Sequence, residues 1–157
     1  MKTVQGPSPE EPSVKGRLRK AHERFLKIRG NPDEIARGLG LGIFLGILPI
    51  FGFQALSAIL LASLLRWNKI SAVLGSGITN PITTPLIYSV AYYLGSRLLG
   101  IRLPRLNISE LDLGTFTNMF YSSPEIFWAV FVGSIILGLP LAAAGYFVSY
   151  SLLKKHQ

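Results

Sequence analysis

Three long apolar tracts dominate the chain. Gly38 to Leu65, Ile70 to Ser96 and Ile126 to Leu153 run for 28, 27 and 28 residues without one Asp, Glu, Lys or Arg. A helix needs only about 20 apolar residues to cross a bilayer. The pattern therefore predicts an all-α integral membrane protein, with its membrane domain over residues 31–157. The third tract reads as one long C-terminal transmembrane helix over 124–153, with Trp128 near one interface and Lys154-Lys155 closing the other end. Gly138-Leu139-Pro140 predicts a kink in that helix, not its end.

The first two tracts, 35–66 and 70–99, are broken by Pro and Gly. Asn31-Pro32-Asp33-Glu34 is a helix start, with an Asn cap, Pro at the first helical position and two acids in the first turn. Gly38, Gly42 and Gly46 then share one face, so a second helix can approach closely there. The first tract breaks at Pro49-Ile50-Phe51-Gly52 and resumes from Phe53. After the polar loop Arg66-Trp67-Asn68-Lys69, with Trp67 as an expected interfacial anchor, the second tract breaks at Thr79-Asn80-Pro81-Ile82-Thr83-Thr84-Pro85. Thr84 before Pro85 predicts the cap and first turn of its second half, where Ala91 and Gly95 form a small-residue face.

An unbroken helix of about 28 residues would be ~42 Å long, against a hydrocarbon core of ~30 Å. The broken pieces are short, and such pieces suit re-entrant hairpins or discontinuous helices. Non-helical backbone at membrane depth has to be enclosed by protein or water, so both breaks are expected to face inwards. Helix halves that start there would aim free N–H groups at the centre, a candidate anion site. Two long helices merely kinked by proline, with no site, remain the alternative.

Outside the tracts, residues 1–12 read as a disordered tail without a secretory signal. Residues 13–30 read as a basic amphipathic interfacial helix: Val14, Leu18, Ala21, Phe25 and Ile28 recur at helical spacing between Lys15, Arg17, Arg19, Lys20, Arg24, Lys27 and Arg29. Those seven cations suit a lipid surface, with docking on a partner as the alternative. Residues 100–123 form a mixed linker, in which Glu110 to Tyr121 reads as a short interfacial helix.

Composition narrows the chemistry. Of 157 residues, 49% are apolar and only 15% are charged, where about 25% is usual. With no Cys there is neither a disulfide framework nor a thiolate site, and His22 and His156 lie near opposite ends, so no metal site and no cofactor are expected. The net charge of +8 points to anionic membrane lipids and not to nucleic acid. With the first 37 residues cytoplasmic, 14 of 16 cations lie inside if both broken tracts re-enter and 12 if both span.

The segment Asn31 to Gly100 also carries a recognisable series: NPDEIARGLGLGIFLGILPIFGFQ, then LLRWN, then ITNPITTPLIYSVAYYLG. It resembles the uncharacterised bacterial family called domain of unknown function 2062, in which G-x-F-x-G-x-x-P-x-x-G-x-Q precedes N-P-x-T-x-P and an aromatic. The first motif stands here as Gly42, Phe44, Gly46, Pro49, Gly52 and Gln54, the second as Asn80, Pro81, Thr83 and Pro85, with Tyr88 as candidate aromatic. The resemblance implies a multi-pass protein of the bacterial inner membrane, in a family whose domain is sometimes joined to a glycosyltransferase-like domain. It implies no activity.

Two functional classes remain. One is a small transporter or lipid-handling protein, with a substrate site at Gln54, Asn80, Thr83, Thr84, Pro49, Gly52, Pro81 and Pro85 and rim cations Arg37, Arg66, Lys69 and Arg97. The other is a non-catalytic membrane anchor or assembly subunit that recruits a soluble partner such as a glycosyltransferase. A homo-oligomer is compatible with both. An enzyme is disfavoured, because no positioned acid or base stands in the tracts, and Glu110, Asp112 and Glu125 lie in or beside the linker.

Overall fold

A computed structural model describes residues 30–50, 52–80, 82–101 and 123–155. The tail 1–12, almost all of the basic segment 13–30 and most of the linker 100–123 lie outside the described residues. Among the described residues all regular structure is helical: α1 (Pro32–Ile47), α2 (Gln54–Leu64), α3 (Lys69–Ser76), α4 (Thr84–Leu99) and α5 (Pro124–Lys155).

The start of α1 is as its sequence predicts. The Asn31 side chain accepts a hydrogen bond from the Asp33 N–H at 3.2 Å, and Pro32 opens the helix. The helix stops where Pro49 pushes the preceding Leu48 into an extended conformation. Gly52, at φ 79, then supplies a backbone geometry that other residues rarely adopt.

From there α2 runs back along α1. At its exit the Asn68 N–H donates to the Glu34 carbonyl at 3.2 Å, so the loop after α2 returns to the first turn of α1. α3 next runs parallel to α1, with its backbone against Gly38, then Gly42, then Gly46. Leu45, Ala58, Ala62 and Ala72 form the core of this three-helix half. Trp67, expected at an interface, is half-buried and packs against that core.

α4 does not fold back. It begins beside the first break, and Ala91 and Gly95 meet Gly133 and Ala129 of the antiparallel α5. Tyr88, Tyr92 and Val130 complete that second core. α5 then continues past Gly138, which touches Phe44, to Tyr146, whose hydroxyl donates to Asp33 at 3.0 Å. With 32 residues and a length of ~48 Å, α5 is thus a common wall. α1 packs on its C-terminal half and α4 on its N-terminal half, while α2 and α3 pack on α1 and on each other. Pro140 sits inside α5 without ending it.

The two broken tracts therefore differ. The first is a hairpin that comes back to the level at which it began. In the second, α3 and α4 advance in the same direction, α3 beside α1 and α4 beside α5.

Candidate functional site

Both breaks meet at one level, close to the middle of α5. Three side chains tie them together. The Thr79 hydroxyl donates to the Gly46 carbonyl at 2.6 Å, across 33 residues of sequence. The Tyr88 hydroxyl donates to the Leu48 carbonyl at 3.3 Å and also shares a hydrogen bond with the Gln54 side chain. α1 ends with carbonyls that its own helix cannot satisfy, and Gly46 and Leu48 find these partners in the second tract.

The second break is held by its own side chains. Asn80 Oδ1 accepts from the N–H groups of Ile82 and Thr83, at 2.9 and 3.0 Å. Thr83 Oγ1 accepts from the Asn80 N–H at 3.0 Å and donates to the Ile78 carbonyl at 2.8 Å. Thr84 Oγ1 donates to the Asn80 carbonyl at 2.7 Å. The expected cap shifts by one residue: Thr83 occupies the cap position and makes no side-chain cap bond, and Pro85 falls in the first turn.

These bonds change the expected burial of the breaks. Pro49 and Thr84 are buried, but Gly52, Asn80 and Ile82 are exposed, Ile82 to 88%. A break needs enclosure only if its backbone groups lack partners. Here the Asx turn and the threonine hydroxyls provide partners from within the loop.

Replacing Asn80 with Ala should therefore act on stability. Two backbone donors lose their acceptor, and at about 0.5–1.5 kcal/mol for each hydrogen bond lost the cost is about 1–3 kcal/mol in all. The melting temperature of the detergent-solubilised protein should fall, whereas Ser63→Ala, which removes one exposed hydroxyl bond within α2, should leave it nearly unchanged.

Of the substrate-site residues expected from the sequence, Gln54, Asn80, Thr83, Thr84, Pro49, Gly52 and Pro85 lie in or directly beside this junction. Pro81 lies outside the described residues. The rim cations stand apart from it. Arg37 pairs with Asp33 at 2.7 Å in the first two turns of α1, ~15 Å of helix away from the break. Arg66 and Lys69 flank the loop at that same end, and Arg97 lies over the Tyr93 ring near the far end of α4. Thr79 is the junction residue that sequence reasoning passed over. Its position directly before Asn80-Pro81 marked it as loop, and nothing in the spacing marked its partner 33 residues earlier.

Fold and junction define an all-helical protein with, among the described residues, one helix long and apolar enough to cross a membrane, Pro124–Lys155. The chain belongs to the bacterial family described as an uncharacterized protein conserved in bacteria, domain of unknown function 2062, whose model matches residues 15–157. The match is longer than the Asn31–Gly100 segment that carries the motifs, and takes in α5 as well. Comparison with curated proteins and with solved structures gave no match.

Proposed function

We propose that this chain is a multi-pass protein of the bacterial inner membrane that moves or handles a lipid or small anionic solute at the junction of its two helix breaks. The convergence of both family motifs on that junction, at mid-height of the long α5, is the observation that carries this reading. Breaks in membrane helices near the midplane are where transporters of several folds place their binding sites.

A membrane setting is supported by two features. Only 28% of the most apolar stretch of α5 is buried within the chain, whereas the core helix of a soluble protein would be mostly covered. α2, too short to span, leaves Phe53 66% and Leu64 79% exposed, with Leu56 and Leu60 beside them. These residues recur at helical spacing, so their exposed side chains form one apolar stripe of the kind that marks a membrane or interaction surface.

In this reading the first tract re-enters, the second crosses as a broken span, and α5 crosses back. The segment before α1, the loop at Arg66 and Lys69, and the end of α5 then share one side. That side carries 13 of 16 cations, with Arg97, Arg102 and Arg105 opposite, and is cytoplasmic by the positive-inside rule. The N-terminus is cytoplasmic accordingly.

The anchor reading has one observation in its favour: the hydrogen-bonding groups of Asn80, Thr83 and Thr84 already serve their own loop. Proteoliposomes separate the two. With fluorescent phosphatidylglycerol, dithionite should bleach label beyond the outer leaflet within minutes if the protein moves lipid. Bleaching that stops at the outer leaflet, as in empty vesicles, together with no uptake of inorganic phosphate, would overturn the transport reading and leave the anchor.

A further inference from the structure

A shallow groove of about 390 Å³, open along most of its length, lies between α2 and α3, away from the junction of the breaks. Its walls are Ile59 on α2 and Ile70, Val73 and Leu74 on α3, and the remaining lining residue is Lys69. Residues 69, 70, 73 and 74 form one face of α3, so the groove runs along that helix from its first residue towards the level of the breaks. The only charge is at the end where the chain leaves α2, and everything further in is aliphatic. Arg66 stands at that same end, in the loop three residues before Lys69. Among the described residues the Arg37–Asp33 pair is the one salt bridge, so neither Lys69 nor Arg66 has an ion-pair partner there.

We infer that this groove holds one acyl chain of an anionic phospholipid, whose phosphate sits with Lys69 and Arg66. The order of charge then hydrocarbon along the groove is that of such a lipid entering from the cytoplasmic face. A lysine stem lies readily along an apolar wall while its ammonium reaches the head-group layer. The inference rests on the membrane reading above but is independent of any transport at the breaks.

Trp67 gives a direct test, since the chain has two Trp and Trp128→Phe leaves it alone beside Lys69. The full-length variant is reconstituted in phosphatidylcholine vesicles containing either phosphatidylglycerol or phosphatidylcholine with brominated chains, and Trp67 quenching is titrated. Phosphatidylglycerol should be preferred on the order of fivefold for each cation that contacts the head group. Lys69→Gln should remove most of that preference, Lys69→Arg should retain it, and Lys154→Gln, a cation at the same end but outside the groove, should leave it unchanged. Val73→Phe, which fills the groove, should weaken quenching by both lipids. Equal quenching by the two lipids, or a preference that Lys69→Gln and Lys154→Gln reduce alike, overturns the groove site and leaves the membrane reading standing. No quenching by either lipid overturns both.

Discussion

Gly133→Val is expected to separate α4 from α5 and to lower the melting temperature of the solubilised protein by about 10 °C. A Cβ at Gly133 would run into the Ala91 carbonyl, and one at Gly95 into the Ala129 carbonyl. These obstacles are backbone, so no side-chain rotation relieves them. Overpacking of this kind costs about 1–3 kcal/mol and occasionally more, and rigid helix backbones put this site at the upper end. For a chain of this size about 3 kcal/mol corresponds to roughly 10 °C. Gly95→Val should do the same. Gly77→Ala is the control: its Cβ would meet only the Leu74 carbonyl, at an ordinary 3.4 Å, and φ is −75. Equal melting temperatures for Gly133→Val and Gly77→Ala would show that α4 and α5 are not packed through these glycines.

Single cysteines should reveal a topology in which the two tracts behave differently. The chain has no Cys, so each introduced thiol reports alone. Asn68→Cys lies at the exit of α2, Ser123→Cys at the start of α5 and Lys155→Cys at its end. A membrane-impermeant maleimide on intact cells should label Ser123→Cys strongly and leave Asn68→Cys and Lys155→Cys unlabelled until the cells are opened. The contrast should be nearly all-or-none. Labelling at Asn68→Cys from outside would mean that the first tract spans and would overturn the hairpin within the membrane. Shielding at Ser123→Cys with labelling at Lys155→Cys would mean that both tracts re-enter. Asn68 N–H donates to the Glu34 carbonyl, which supports the first result, since it brings the loop after α2 to the entry of α1.

The local features of this chain were legible in its residues. Asn31-Pro32 starts α1, Pro49 stops it, and Gly100, at φ 66, ends α4 in the left-handed cap that glycine favours. The packing faces were legible as well: glycines four apart at 38, 42 and 46 present one stripe whatever covers it, and α3 does. The candidate site was legible only as two motifs. That Gln54 and Tyr88 share a hydrogen bond was not, because spacing carries no record of which distant carbonyl a hydroxyl will reach.

By itself, then, the sequence determined the elements among the described residues: their five helices, the positions of both breaks and the small-residue faces, since capping, proline sterics and helical period act over a few residues. Only the tertiary structure decided what the breaks do. Both tracts have the same plan on paper, yet α1 and α2 turn back while α3 and α4 run on. The difference lies in partners far along the chain. The Glu34 carbonyl draws the exit of α2 home, whereas Ala129 and Gly133 hold α4 against the opposite half of α5.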